Sequence, residues 1–524
     1  MSGKKRSNRR SKARIRGIQW DDVPGLQHAR ELWIGRRYSQ SLSMFAEAVR
    51  RHPANVIALT DAARAFGSRF EFAEAERYLE RLLELGGHRA DVLQMVGQSY
   101  RMIQRPQRAR EMLQKAIALD ENLFLAHLEL AMLYERCHGL DEAERMVEQA
   151  LLLQPTSAEA RFLTGRLQRR AGQLDRAIVT LQTVVDDEIA HWETRVRSLY
   201  ELGQLYDERE EYDRAIEAVT DAKRIAGQHA QTLRKQAERE YTDFCSLLAT
   251  LTPADVQRWR ELADREQPQR VALLTGAPRS GTTLLEKVLA AHPDIVTSDE
   301  QEAFAKFIYP AMLQLPDDQS LQASSLTDIE TQNWTDQRHR YLRYLEGAMQ
   351  EPIAGRVCID KNPSTIPLIP GMLRLFPEMK LIVALRDPRD VVVSCFMQHL
   401  PLNSVSAQFL TLPGVVDRVI RDAEGWWRLR AIIGQDWMEV RYEDLVNDLE
   451  GMVRKTLTSL DLNWDEKIMD YRQRLRNEPV RSPTYEAVAK PIYRSSIGRW
   501  RNYERYLEPF LDRLKPIMTQ GGWD

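Results

Sequence analysis

Over the first half of the chain apolar positions recur at helical spacing, and a longer rhythm is laid over them. Ala75, Ala109, Ala143 and Ala177 stand 34 residues apart, the length of one helix-turn-helix unit. Twelve residues before each comes a second small residue, Ala63, Gly97, Ala131 or Gly165, as close helix packing requires; three residues further on come Phe66, Tyr100, Tyr134 and Gln168. The pattern reaches back through Phe45, Ala48 and Pro53 to an imperfect first unit near residue 20, and Pro155 ends the fourth unit. It returns four residues late at Gly203, Tyr206, Ala215 and Ala222, with the insertion around 186–192. Six units are predicted. From about His229 to Arg265 the pattern stays helical without the signature, as a cap over one apolar face should. After residue 268 short β-rich runs alternate with helical stretches, which predicts an α/β domain with a mostly parallel sheet. The predicted strands are Val271–Thr275, Arg356–Ile359, Leu381–Leu385 and Met438–Val440, each followed by polar or charged residues where open α/β sheets place ligands.

The 34-residue period is that of the tetratricopeptide repeat. The expected plan is a basic disordered tail over 1–19, a repeat solenoid with its helical cap over 20–265, and the α/β domain over 266–524, with the boundary near Glu266-Gln267-Pro268. A solenoid of this kind forms a concave groove that holds an extended peptide or a partner helix, or else pairs two copies of the chain into a homodimer; the sequence does not choose.

Charge and composition narrow this picture in three places. The 74 basic and 76 acidic side chains nearly cancel, so neither nucleic acid nor an anionic membrane is expected as the main partner. Cys137, Cys245, Cys358 and Cys395 lie far apart, which fits a reducing, cytoplasmic setting and core packing rather than disulfides or structural zinc. No apolar run is long enough to span a membrane, and a soluble protein is expected. Lys4, Lys5, Arg6, Arg9, Arg10, Lys12, Arg14 and Arg16 precede any acid and no apolar stretch follows them, so no secretory leader is expected. Such a run reads as a solvated tail, with an arm touching a polyanion as the alternative.

Chemistry begins where the first strand of the α/β domain ends. Gly276-Ala277-Pro278-Arg279-Ser280-Gly281-Thr282-Thr283 follows it and leads into a helical pattern from Leu284. This is a phosphate loop with Thr282 where the nucleotide-triphosphatase template has lysine. Amides around Gly281 and the helix start can cradle an anion, Thr282 and Thr283 add hydroxyls, and Arg279 supplies a guanidinium; no lysine reaches the β- and γ-phosphates. An ATP-dependent kinase is therefore disfavoured. A second anion motif, Arg386-Asp387-Pro388-Arg389-Asp390, follows strand Leu381–Leu385 and precedes a helix bearing Ser394. The histidines, among them His292, His339 and His399, show no metal-ligand spacing and read as caps or core residues, and Trp426-Trp427 as packing.

With these motifs the sequence resembles bacterial tetratricopeptide-repeat sulfotransferases, whose C-terminal domain is similar to that of tyrosylprotein sulfotransferases. The resemblance runs over nearly the whole chain. It implies a P-loop-like fold, 3′-phosphoadenylyl sulfate as co-substrate, and no metal. The loop Arg279, Ser280, Gly281, Thr282, Thr283 would bind the 5′-phosphosulfate, and Arg386 with Ser394 the 3′-phosphate. Glu300 falls at the position of the family's general base, Lys361 in Asp360-Lys361-Asn362-Pro363 at that of the lysine stabilising the departing phosphate, and Tyr442 at that of a donor-contacting tyrosine. Arg499-Trp500 resembles the loop that closes over the donor.

Sulfuryl transfer moves SO₃ in line between two oxygens, so both partners must be positioned and the charge arriving on the leaving phosphate stabilised. A phenol with a pKa of about 10 needs a base as it attacks, the role implied for Glu300, with Lys361 and Arg279 neutralising the developing anion. Read without the resemblance, Ser298-Asp299-Glu300 is a helix start before an apolar run, and Lys361 a surface ion-pair partner. The sequence also departs from the family. Asp299-Glu300-Gln301-Glu302 replaces a Glu-Glu-Thr-Arg run, Gln398 stands where a second 3′-phosphate arginine is found, and Gly498 replaces a serine, leaving Ser495, Ser496 and Arg499 to serve the donor. The implied acceptor is a protein tyrosine, with carbohydrate, lipid or a small phenol as alternatives; a repeat scaffold with an inactive nucleotide-binding domain is the reading of another class.

Overall fold

The computed structural model describes residues 19–523 except 22, 36, 264–267, 316–318, 473–493 and 495. The expected basic tail other than residue 19, residues 266 and 267 of the expected boundary, and Ser495 lie outside the described residues. The chain forms two compact units, Met1–Glu129 and Leu130–Asp524.

The helices come as consecutive pairs: α1 (Leu26–Ile34) with α2 (Tyr38–Arg51), α3 (Val56–Ser68) with α4 (Phe72–Gly86), and α5 (Ala90–Met102) with α6 (Pro106–Leu119). Then come α7 (Phe124–Arg136) and α8 (Leu140–Leu153), α9 (Ala158–Arg170) and α10 (Leu174–Val185), and α11 (Trp192–Glu208) and α12 (Tyr212–Gly227), followed by α13 (Gln231–Thr250) and α14 (Pro253–Ala263). Local chemistry sets several starts. Asn55 caps α3 by accepting from the Ala58 amide at 2.9 Å, Ser157 caps α9 through Ala160, and Pro106 occupies the first turn of α6. The small residues serve close approach: Ala63, Ala75, Ala109, Ala131, Ala143 and Ala177 are fully buried, and a Cβ on Gly165 would lie 2.6 Å from Leu181.

The structure adds a third series on the same period. The turn inside a pair passes through a left-handed residue at Phe70, Gln104, His138, Gly172 and Glu210, with φ of 64°, 63°, 60°, 76° and 62°. Only one of these is glycine, so the turn is imposed by the packing of its two helices and not by local preference, at about 1 kcal/mol for each non-glycine residue.

Five parallel strands follow, β1 (Val271–Gly276), β2 (Ile295–Asp299), β3 (Val357–Lys361), β4 (Lys380–Leu385) and β5 (Trp437–Arg441), in the order β2-β3-β1-β4-β5. The four predicted strands are present with shifted ends, and β2 is additional. Thr297-Ser298-Asp299 gives β2 a polar end, which hid it among helical readings. β1 and β3 are buried throughout, as interior strands covered on both faces are.

Within Leu130–Asp524 the last helix pair and the α/β domain share one core. Leu199, Tyr200, Val219 and Ala222 cluster with Val391 and Phe396 of the helix Pro388–Met397 and with Phe409, Trp500 and Tyr503. Lys223 of α12 sits inside this core, donating to the Phe409 carbonyl at 2.6 Å over the Phe396 ring, and burial pulls its ammonium down to about 7.

Candidate active site

Because the strands are parallel, their carboxyl ends share one edge, and each delivers a candidate residue there: the phosphate loop after β1, Glu300 after β2, Lys361 at the end of β3, Arg386 after β4 and Tyr442 after β5. At Gly276 (φ 143°) a Cβ would lie 2.2 Å from the Ala384 carbonyl of β4, so the loop leaves the sheet where only glycine fits. Arg279 and Gly281 are left-handed, with φ of 69° and 99°. Thr282 and Thr283 then open helix α15 (Thr282–Leu289), both buried. Tyr442 lies against the loop, since a Cβ on Gly281 would be 2.7 Å from its ring.

The two anion motifs meet. Arg279 Nε donates to Ser394 Oγ at 2.9 Å, and Arg386 Nη1 donates to the Arg279 carbonyl at 3.0 Å while its guanidinium stacks 4.6 Å from the Tyr442 ring centre. Arg386 Nη2 donates to the Ser496 carbonyl, and Arg386 Nε is buried with no hydrogen-bond partner among the described residues. Ser280 differs from its neighbours: its amide and hydroxyl both bond the Ala277 carbonyl, so its polar groups are spent within the loop.

Glu300 and Lys361 form a second cluster on the neighbouring strands. Lys361 is fully buried, its Nζ 2.7 Å from Glu300 Oε1 and 2.6 Å from Asp299 Oδ1. Burial works against its charge, but Asp299, Glu300 and Glu286 outweigh burial and hold it well above the usual lysine range, so it is an ammonium at neutral pH. The surface ion-pair reading of Lys361 therefore gives way to a buried one. Glu300 follows a strand and has φ of 53°, with its amide donating to the Lys361 carbonyl at 2.9 Å, which replaces the helix-start reading. Beneath it, Asp360 accepts from Ser298 Oγ at 2.7 Å and from Tyr341, and burial raises its carboxyl.

Arg499 is placed elsewhere. Its guanidinium pairs with Asp207 of α11 at 2.7 Å and is not brought to the phosphate loop. Gln398 Nε2 is directed to the His399 carbonyl at 3.5 Å. His399 packs edge-on to Tyr200, and burial pulls it down to about 4; His292 accepts from the Asp294 amide as a cap. Sequence reasoning passed over Asp299, hidden in the unrecognised strand β2, and Asp390, buried in the second motif. Asp390 accepts from the amides of Gly498 at 2.8 Å and Trp500 at 2.9 Å. Its signal was the unexplained second acid of Arg386-Asp387-Pro388-Arg389-Asp390.

Comparison with known proteins agrees with this architecture. Residues 272–466 match the sulfotransferase family, and residues 26–86, 128–188 and 196–229 match tetratricopeptide-repeat models. An uncharacterized protein of Aquifex aeolicus is 25% identical over 416 residues, covering 75% of this chain and 51% of that protein. A protein-tyrosine sulfotransferase of Drosophila melanogaster is 26% identical over 253 residues, covering 45% of this chain and 48% of that protein. The chain thus spans about half the length of these relatives. The sulfotransferase domain of the Synechococcus PCC 7002 olefin synthase aligns with 45% of this chain and 89% of its own at 21% identity and a TM-score of 0.32. No described helix is long and apolar enough to cross a membrane. By the family matches, the chain is an array of tetratricopeptide repeats followed by a sulfotransferase-family domain.

Proposed function

We propose that this chain transfers a sulfuryl group from 3′-phosphoadenylyl sulfate to an acceptor hydroxyl, with a protein tyrosine as the acceptor. The observation that carries the reading is the meeting of two anion motifs from β1 and β4: Arg279 bonds Ser394, and Arg386 bonds the Arg279 carbonyl. One ligand with anionic groups at both ends suits that pair. The residues present fit it, because Arg386 keeps a buried, unbonded Nε and because the glycine at 281 lets the Tyr442 ring pack against the loop where a Cβ would clash.

When bound, the donor supplies the activated sulfate. The chain supplies the rest. Arg279 and the amides at the start of α15 hold the end carrying the sulfate, and Arg386 with Ser394 hold the other phosphate. Lys361, kept charged by Asp299 and Glu300, faces the growing negative charge on the departing phosphate. Glu300 takes the acceptor proton. Its bond to Lys361 orients the carboxylate, and Asp299 remains to hold Lys361 once Glu300 is protonated. The repeats bind the acceptor or a partner protein, the repeat array gives way to the α/β domain near residue 266, and the setting is cytoplasmic.

The test is calorimetry with 3′-phosphoadenosine 5′-phosphate, then transfer from ³⁵S-labelled donor to protein, glycan and small-molecule fractions. Arg279→Ala should abolish nucleotide binding. Glu300→Gln should retain binding while turnover falls by about 10²–10⁴. Unchanged affinity in the first variant, or wild-type turnover in the second, removes that residue from the site.

A further inference from the structure

We infer that the sixth helix pair supports the donor site from outside it, with Asp207 as a positioning residue for the turn at 498–503. The inference rests on the proposed donor site. Its evidence is the way this turn is held between two parts of the Leu130–Asp524 unit.

On one side is the second anion motif. Asp390 takes the amides of Gly498 and Trp500, Arg386 donates to the Ser496 carbonyl, and Arg389 stacks 4.4 Å from the Trp500 ring centre. On the other side are the repeats. Asp207 of α11 pairs with Arg499 at 2.7 Å and accepts from the Tyr503 hydroxyl, while Tyr212 of α12 meets the Tyr503 ring edge-on at 5.3 Å and its hydroxyl accepts from Asn502 Nδ2 at 3.0 Å. The short helix Arg499–Tyr503 thus has the amides at its start held by Asp390 and its Arg499 and Tyr503 side chains held by Asp207.

The consequence for an anion site follows from Asp390. Its carboxylate lies 3.7 Å from Arg386 Nη2, and two backbone amides share its charge while the turn is seated. If the turn lifts, Asp390 loses both amides and Arg386 loses the Ser496 carbonyl. Already 3.7 Å apart, the two are then freed to pair more closely, and the guanidinium proposed to hold a phosphate becomes more fully neutralised by a buried carboxylate. Asp207 acts through the turn, at a distance from the donor, by keeping Asp390 occupied.

The full chain carrying Asp207→Asn should bind 3′-phosphoadenosine 5′-phosphate about tenfold more weakly, the scale of one lost charge-assisted bond. The donor KM should rise while kcat holds, and Asp207→Glu should restore most of the affinity. Glu238→Gln is the control: it removes the pair of α13 with Arg421, another link between repeats and α/β domain, and should leave affinity unchanged. An Asp207→Asn affinity equal to wild type, or an equal loss in the Glu238 variant, overturns the inference alone. A wild-type chain that binds no nucleotide overturns the donor reading and this inference with it.

Discussion

In the helix pairs the charged residues are settled between neighbours: Arg30 of α1 with Asp61 of α3, Arg170 of α9 with Glu135 of α7, Arg169 of α9 with Glu201 of α11. In each of these pairs an acid meets a base one unit away, so the two charges are neutralised within the array. At the carboxyl edge of the sheet the arrangement is the reverse. Residues from five strands converge on one region, and Lys361 is shared by two carboxylates while Arg386 carries an unbonded nitrogen. The first pattern secures a fold; the second leaves capacity for a ligand. Loss of a charge should therefore cost stability in the repeats and mainly function at the edge, except where the edge residue is itself buried.

Lys361 is that exception and should give the largest effect. Lys361→Met would leave Glu300 without its lysine and Asp299 with only Lys287, 3.7 Å away, costing about 3–5 kcal/mol in denaturant unfolding and eliminating transfer. A variant as stable as wild type would show that the edge tolerates unpaired charge and would break the contrast.

Glu201 tests the other side. Burial alone would raise its carboxyl, but Arg166 and Arg169 more than offset this and bring it from 4.5 to about 2. A depressed carboxyl stabilises the fold fully above its unfolded value, and that stability is lost as pH falls from about 4.5 toward 2. Glu201→Gln should lose about 3 kcal/mol at pH 7 and progressively less below pH 4.5. A deficit that does not shrink with acid would mean that packing, not the ion pairs, is what the substitution disturbs.

The smallest effect concerns the turns within the pairs. Glu210 is exposed and left-handed at 62°, so Glu210→Gly should stabilise by about 0.5–1 kcal/mol in thermal or denaturant melts. Destabilisation would indicate that the side chain contributes more than its backbone strain costs.

The repeats were legible because the packing that makes them demands small residues at fixed intervals, and Ala75, Ala109, Ala143 and Ala177 record that demand directly. The turn series was not legible, because Phe70, Gln104, His138 and Glu210 share a conformation and no chemistry. The phosphate loop and the Arg386 motif could be read since glycine and arginine are required there for backbone and charge reasons that hold in isolation. That Arg279 would reach Ser394, or that Asp299 would join Lys361, depends on which strands lie side by side, and β2 was missing from the sequence reading. Arg499 shows the limit of motif spacing. Its neighbour is an aspartate nearly three hundred residues earlier, which no local pattern could supply.

The core shared by α11, α12 and the helix Pro388–Met397 has a consequence for how this protein can be divided. A fragment starting at β1 would turn Phe396, Phe409, Trp500 and Tyr503 toward water and would self-associate. The α/β half is not a detachable cassette: exchange of repeats between relatives would have to preserve the final unit, leaving only the earlier ones free to vary.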